Sequence, residues 1–524
     1  MQVLARSAAA RRGPPAAPRR LRTRARAKSS SASATDRRDT TEGGAPRRSS
    51  DRAPLPTRDG IERRSAQCYG CGVRVQLDEP SAPGFVDRET YERRRKHHQL
   101  DQLLCARCCE LSHGAMVNAV EGQGLADRRG RGLVSQDELV AELKQLRDKR
   151  VLVLLLLDLT DLSGTMLGRV RDAIGRNPVI AVGTKFDLLP KGTSQAAVRE
   201  WLQDELERKR LTVAGTFTVA ARSRNRDQSG VSGVAGATLR ERSGRDVYIV
   251  GASNVGKSTF CRALLGALRD RGDFLAQDSK LPVASPMPGT TLGAIKLQAF
   301  TPKSALYDTP GVVLSHRINT LLDGDDVAAL TPRKRMRALI VSAARLQAAA
   351  AATTRAPPYE YAGALDAPTF GASLEGLSVT WGALARVDVL SAPPDFAMSF
   401  VGPSQLSLSV VCTPVAAERA EGEGDEAAWI PPSAPGSPGA ALVEASGGLH
   451  VAREVELEVP AGGRAHAADL AVSGLSAWVV LTAGGAVDEG WASRFGRVQL
   501  RVWAPRGVGV FLRPAMPVSD PYDA

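Results

Sequence analysis

Residues 247–258 read VYIVGASNVGKS, a β-run passing into a G-x4-G-K-S loop, and a helical stretch, TFCRALLGAL, follows at once. Strand, loop and helix in that order are the full context that a phosphate-binding loop requires. Gly251 and Gly256 free the backbone to turn its N–H groups toward an anion at the start of the helix. Lys257 would bridge the β- and γ-phosphates of a nucleoside triphosphate, and the Ser258 hydroxyl would ligate Mg²⁺. Asn254, Val255 and Thr259 complete the candidates in this loop. Such a loop joins a strand to a helix of an open, mostly parallel sheet with helices on both faces, so the expected fold class is α/β. The loop is silent about which base is bound.

Two further segments bear on the same chemistry. SALYDTPG (304–311) ends a second short apolar run. Asp308 would hold Mg²⁺ through water and the Gly311 N–H would face the γ-phosphate. Alone, DTPG is a turn-forming sequence; downstream of a phosphate loop it carries weight. Between the two, SPMPGTTLG offers Thr290 and Thr291 as the threonine that closes over Mg²⁺, with Thr291 favoured.

Upstream, residues 181–190 read AVGTKFDLLP. Thr184-Lys185-Phe186-Asp187 is close to the N-K-x-D signature that reads guanine, with threonine in place of asparagine. Asp187 can accept two hydrogen bonds, from the guanine N1–H and exocyclic amine, an arrangement adenine cannot satisfy. Lys185 would lay its stem along the base, and Thr184 could brace the phosphate loop through its hydroxyl. A lysine and an aspartate in a loop after a strand are ordinarily just solvated. The buried-strand pattern PVIAVG before them and DLLP after them favour the base-reading role. The order is unusual, because the base-reader precedes the phosphate loop and DTPG. If the native termini are joined and the chain is cut elsewhere, the same sheet forms with the same loops at the same edge. FTVAARS (217–223), with Ala220 and Ala221, would then be the loop that supports the base.

Four of the seven cysteines form two C-x2-C pairs, Cys68/Cys71 and Cys105/Cys108. Two such knuckles can close a tetrahedral zinc site. A disulfide pair or buried thiols is the weaker alternative, since the rest of the chain looks intracellular. Cys109 could substitute for Cys108, and His97, His98 and His113 are spare donors. A closed site of this kind is structural or recognitional.

The net charge of +13 invites a nucleic-acid reading, but residues 1–60 hold 15 Lys+Arg against 5 Asp+Glu and the remaining 464 carry 54 against 51. The basicity is therefore mostly N-terminal. No acidic residue precedes Asp36, and the segment is rich in Arg, Ala and Ser, as organelle transit peptides are. A disordered basic tail that binds nucleic acid is the alternative. Chloroplast is the expected address, with mitochondrion as the alternative. No stretch reaches the roughly 18–20 apolar residues of a membrane helix; VLVLLLLDL (151–159) is broken by Asp158 and reads as a buried parallel strand. A soluble protein without a membrane span is expected.

Beyond residue 375 strands dominate: LSVTW, LARVDVL, LSLSVVCT, VELEV, AWVVL, VQLRVW and VGVFL. Alternation at Val498, Leu500, Val502 and at Val508, Val510, Leu512 around APRG predicts a hairpin with one buried face. Arg333-Lys334-Arg335 and Arg337 form a basic cluster, equally readable as a solvated helix face. The expected organisation is 1–60 transit peptide or disordered, 61–115 zinc finger, 135–320 nucleotide domain, 321–375 a basic helical and Ala-rich linker, and 376–524 a β-rich interaction domain.

This motif series, CYGCG, LCARCCELSHG, TKFDLLP, GASNVGKST, PGTT, LYDTPG, LTPRKR (330–335) and WGALARVDVL (381–390), resembles the circularly permuted GTPases of the YqeH type. Their plant and algal organelle relatives, the nitric-oxide-associated proteins, are included. The resemblance covers roughly residues 66–390 and extends more loosely to 498–518. It implies GTP and GDP as ligands with Mg²⁺ and Zn²⁺, and GTP hydrolysis coupled to small-ribosomal-subunit assembly. Contacts to rRNA or ribosomal proteins would come through the finger and the C-terminal domain. It also implies that Asn254 holds K⁺, which could supply the positive charge that an arginine finger gives elsewhere. The supporting loop of the family reads SA where this chain has Ala220-Ala221, so guanine selectivity should rest largely on Asp187. Val312 follows DTPG where a water-orienting glutamine stands in Ras-like enzymes, which implies slow, partner-stimulated hydrolysis. Two other readings are a nucleotide-dependent RNA-binding scaffold with negligible turnover and an ATP-using phosphate-loop enzyme, against which Asp187 argues. No flavin, haem or dinucleotide motif supports oxidative nitric oxide synthesis.

Overall fold

The computed structural model describes residues 66–113, 144, 146–168, 170–223, 229–273, 281–283, 291–322, 324–351, 360–361, 373–382, 384–404, 406, 408–420, 447–458, 465–483 and 497–518. The N-terminal basic segment, Thr290, residues 224–228 and the acidic, Pro/Gly-rich stretch 421–439 lie outside them.

The nucleotide domain is a six-stranded sheet. Its strands are β1 (Val151–Asp158), β2 (Val179–Thr184), β3 (Gly215–Thr218), β4 (Asp246–Gly251), β5 (Ile295–Thr301) and β6 (Ser304–Asp308), in the spatial order β3-β2-β1-β4-β6-β5. Every neighbouring pair is parallel except β5 with β6. All eight residues of β1 are buried, the signature of a central parallel strand covered on both faces, and the seven apolar residues that precede Asp158 follow from that. Helices Gln195–Arg208, Val231–Glu241 and Lys257–Asp270 make the crossovers and flanks. The chain builds β1, β2 and β3 outward, then returns to lay β4 against the other edge of β1. This is the order that exchanging the two halves of an ordinary GTPase sheet produces.

The cysteine region holds two short helices, Arg88–Lys96 and Ala106–Ser112, the first capped by the Asp87 carboxylate accepting from Thr90 N at 2.7 Å. Its small core joins Val86, Leu103 and Leu111 to the four thiols.

The C-terminal part is a sandwich. The strands are β7 (Arg337–Ser342), β8 (Glu360–Tyr361), β9 (Leu377–Trp381), β10 (Ala385–Ser391), β11 (Ala397–Gly402), β12 (Ser409–Cys412), β13 (Leu449–Glu458), β14 (Ala465–Val472), β15 (Trp478–Ala483), β16 (Arg497–Pro505) and β17 (Val510–Arg513). One sheet runs β13-β16-β10-β9-β12-β8 and the other β17-β14-β15-β11-β7. Val387, Leu500 and Val502 of the first face Phe400, Leu470 and Leu481 of the second across one core. The opposite face of the five-stranded sheet, with Val401, Trp478 and Val480, packs into the nucleotide domain's core.

Two expectations are corrected. The APRG segment does not close a hairpin: β16 pairs with β10 and β13, and β17 pairs with β14 in the other sheet. Alternation showed that each run buries one face, but a turn that carries the chain between sheets leaves the same alternation. Residues 337–342, inside the expected linker, form β7 and pair with β11. Its basic flank and half-exposed face hid a strand.

Candidate nucleotide site

Parallel pairing brings the loops after β1, β2, β3, β4 and β6 to one sheet edge. Gly251 pairs with Leu156, Asp158 with Thr184 and Ile249 with Asp308. The phosphate loop then turns through Asn254 (φ 63°) and Gly256 (φ 90°) into the helix Lys257–Asp270. Asparagine tolerates this left-handed conformation better than most residues. A Cβ on Gly251 would lie 2.7 Å from Leu156 O, so that position admits glycine alone.

Lys257 is buried, and its ammonium donates to the carbonyls of Ala252 (2.8 Å) and Gly251 (3.1 Å). Burial pulls it down to about 8, with Asp308 opposing. Ser258 Oγ donates to Asp308 Oδ2 at 2.9 Å and lies 3.3 Å from Thr291 Oγ1. Three residues from separate segments thus meet at one point, all of them hard oxygen donors suited to Mg²⁺. Burial raises the Asp308 carboxyl to about 6 while Lys257 and Ser258 pull against it. Its Oδ1 is buried without a hydrogen-bond partner among the described residues, as expected of an oxygen facing a hydrated cation. A Cβ on Gly311 would meet Lys257 Nζ at 2.9 Å, so backbone approaches the lysine closely there. These features fit a magnesium nucleotide. Val312 is fully buried; its carbonyl accepts from Ser253 N at 2.7 Å and its N–H donates to Gly251 O at 3.3 Å, so it clamps the phosphate loop.

At the base-reading end, Thr184 Oγ1 lies 2.7 Å from Val255 O and 3.0 Å from Leu157 O, so its hydroxyl ties this loop to the phosphate loop. Phe186 N donates to Val219 O at 3.1 Å, which docks the loop after β2 on the loop after β3. Ala220 N is in turn engaged by Ser229 O at 2.9 Å, and Ala221 is half-buried beside it. Asp187 is half-buried and has no hydrogen-bond partner among the described residues. Lys185, at φ 63°, sends its ammonium to the buried Asp158 carboxylate. Asp158 was missed as a site residue, although an acid ending a seven-residue apolar run was a visible signal.

Arg317 was also missed. It is 3% exposed and bonds Asp161 Oδ2 at 3.1–3.2 Å while donating to Ser253 O in the phosphate loop at 3.0 Å. Asp161 Oδ2 also accepts from Gly474 N at 2.9 Å, and Ile318 N donates to Ser473 O at 2.8 Å. The segment after DTPG is thereby stitched to both the phosphate loop and the sandwich. Nothing in the local sequence around Arg317 announces this.

The thiols of Cys68, Cys71, Cys105 and Cys108 are buried and all lie within 4.8 Å of one another. The 3.9 Å between Cys71 and Cys105 Sγ matches the ~3.8 Å edge of a tetrahedron with 2.3 Å Zn–S bonds. Hydrogen bonds from Cys105 and Cys108 hold Cys68 far below the ordinary thiol range. The donor set fits zinc. Cys109 stands apart from it, half-buried.

Among known proteins, the model for the 50S ribosome-binding GTPase family matches residues 246–352. The chain is 38% identical to NO-associated protein 1, chloroplastic/mitochondrial, of Arabidopsis thaliana over 457 residues, 86% of this chain and 76% of that protein. It is 36% identical to the putative nitric oxide synthase of Oryza sativa over 463 residues, 87% of this chain and 78% of that one. YqeH of Bacillus subtilis is 28% identical over 270 residues, 52% of this chain and 65% of that one. The expected organelle address agrees with the compartments in the Arabidopsis name, and no described helix is long and apolar enough to cross a membrane. On this coverage, and with its loops in this order, the chain belongs to the NO-associated protein 1 family of GTPases, consistent with the YqeH-type permuted architecture.

Proposed function

We propose that this chain is a GTP-hydrolysing switch in small-ribosomal-subunit assembly within the chloroplast or mitochondrion. The observation that carries the switch is the convergence of Ser258, Thr291 and Asp308 on one point, with the buried Lys257 ammonium near enough to interact with Asp308. Mg²⁺ would be held by Ser258 and Thr291, and through water by Asp308; when bound, it supplies charge neutralisation between phosphates. Lys257 and the N–H groups of Gly251 to Thr259 bind the phosphates, and the Gly311 N–H meets the terminal one. Asp187 selects guanine, Lys185 borders the base, and Ala220 and Ala221 support it from the loop after β3. Zinc in the four-cysteine site is structural.

Asn254 is the candidate potassium ligand. With Val312 committed to the core, no side chain at that position can orient water, so intrinsic turnover is slow and a partner accelerates it. The ribosomal partner rests on kinship, and the matched family's name points to the large subunit where the motif series implied the small one. Measuring GTP and ATP hydrolysis, in potassium and in sodium, with purified small or large subunits, tests all of this. Potassium-dependent GTPase activity raised by small subunits is expected. Tight GTP binding without turnover under every condition supports the scaffold reading, which the buried Val312 favours. ATP preference would sink both.

A further inference from the structure

The four-cysteine knuckle touches the nucleotide site. Leu292 N and Gly293 N both donate to the carbonyl of Cys71, at 2.8 and 2.9 Å. Their neighbour Thr291 is the residue whose hydroxyl reaches Ser258. Gly72 and Gly293 lie face to face: a Cβ on Gly293 would stand 2.6 Å from Gly72 O, and one on Gly72 2.4 Å from Gly293 O. A second strap lies just upstream in the chain. Val283 N donates to Gly70 O at 3.2 Å, and the Val283 side chain is part of the finger's own core. From the other side, Arg262 of the phosphate-loop helix donates to Pro282 O at 3.0 Å.

We infer that the Cys68–Cys71 knuckle is a positioning element for the magnesium site, holding residues 291–293 so that Thr291 stays against Ser258. The inference rests on the reading of Thr291 as the threonine that closes on Mg²⁺. The physical reason is local. The knuckle's turn is fixed by Gly72 N donating to Cys68 O and Cys68 N to Val73 O, both at 2.8 Å, and by four thiols converging on one centre. A rigid turn presents the Cys71 carbonyl as a fixed acceptor for two successive N–H groups. If the turn loosens, those two amides lose their partner and the chain one bond away from the Thr291 carbonyl is freed. Linkage then runs both ways: filling the thiol site tightens magnesium-triphosphate binding, and magnesium triphosphate protects the thiols.

The test uses the full chain and Gly293→Ala, a substitution outside the thiol turn at a residue whose φ is not left-handed, so that the added methyl acts through Gly72. Zinc content, amide exchange at residues 291–293, and affinity for Mg²⁺ with GDP or a non-hydrolysable GTP analogue are measured. Unchanged zinc, faster exchange, near-parental GDP affinity and about tenfold weaker analogue binding are expected, the scale of losing one or two net hydrogen bonds. Chelating the zinc from the parent chain should raise exchange at the same amides. Unchanged exchange in both cases would overturn the proposal, as would faster exchange with undiminished analogue affinity. Thr291→Ala separates this from the underlying reading: if it leaves analogue binding intact, the assignment of Thr291 is what fails. In a Thr291→Ala background, Gly293→Ala should add no further loss, and an additive loss would show that the knuckle acts by another route. Should Gly293→Ala not fold, Leu292→Ala keeps both N–H donors and must leave analogue affinity within about twofold, while Gly72→Ala, judged at full zinc content, must not.

Discussion

Replacing Arg317 by leucine leaves a carboxylate buried without its cation. Asp161 is 2% exposed and is already pushed above the ordinary carboxylate range by burial, with the Arg317 guanidinium the main opposing influence. Breaking a buried pair from one side costs about 3–5 kcal/mol. The lower end applies, because Gly474 N and Gly164 N still donate to the carboxylate at 2.9 and 3.2 Å, and it can take up a proton. The assay is native-state hydrogen exchange at Gly474 and Ile318, whose amides belong to the junction itself. Their opening free energies should fall by about 3 kcal/mol in Arg317→Leu. Adding Asp161→Asn removes the stranded charge and keeps an acceptor for Gly474, so the double variant should regain at least about 1 kcal/mol. A loss below about 1 kcal/mol in the single variant, or no recovery in the double, would refute the ion-pair account of the junction. Affinity for GTP should fall as well, since Ser253 O loses its partner from Arg317.

Three shorter predictions follow from the same geometry. Asp187→Asn should abolish the preference for GTP over ATP, about a hundredfold or ~3 kcal/mol for two charge-assisted hydrogen bonds, and an unchanged ratio of the two dissociation constants would mean that another group reads the base. Thr184→Val removes the hydroxyl from Val255 O and Leu157 O, at a cost of about 1–2 kcal/mol, and should weaken GTP and GDP together by about tenfold in equilibrium binding; equal affinity in the variant would show that the brace is idle. Burial raises the Asp469 carboxyl to about 6, against the opposing pull of Arg513, so the folded state keeps a proton that the unfolded chain releases from about pH 4 upward. This group's contribution is therefore full below about pH 4 and is lost as pH rises to about 6, a fall of roughly 3 kcal/mol; Asp469→Asn should flatten that part of the curve in denaturant titrations, and an identical slope in parent and variant would contradict it.

GASNVGKS, DTPG and TKFD are each a run of adjacent residues, which is why the loops that the fold brings to one sheet edge could be singled out from the sequence. The sheet followed, because the same loops must share one edge. Partners separated by long stretches of chain left no such trace. Asp161 and Arg317 are 156 residues apart and Thr184 and Val255 are 71 apart, yet each pair is in direct contact. For Thr184 the hydroxyl chemistry suggested the contact; for Arg317 an arginine in an ordinary loop offered no cue. The sandwich was half legible: β9 and β10 were read as strands and β16 and β17 showed their alternation, whereas the assignment of β16 and β17 to different sheets depends on the path of the turn, which periodicity does not record.

The strand order β3-β2-β1-β4-β6-β5 has a consequence during synthesis. β1 is apolar up to Asp158 and pairs on one side with β2, from Val153 with Val179 onward. Its other edge belongs to β4, beginning with Val151 opposite Asp246. On a ribosome adding about 5–20 residues per second, that edge waits on the order of 5–20 s for its partner. An apolar strand with one bare edge is a template for adventitious pairing. Until β4 emerges the nascent chain has the loop after β2 but not the glycine-rich loop after β4, so the contact of Thr184 with Val255 cannot yet form.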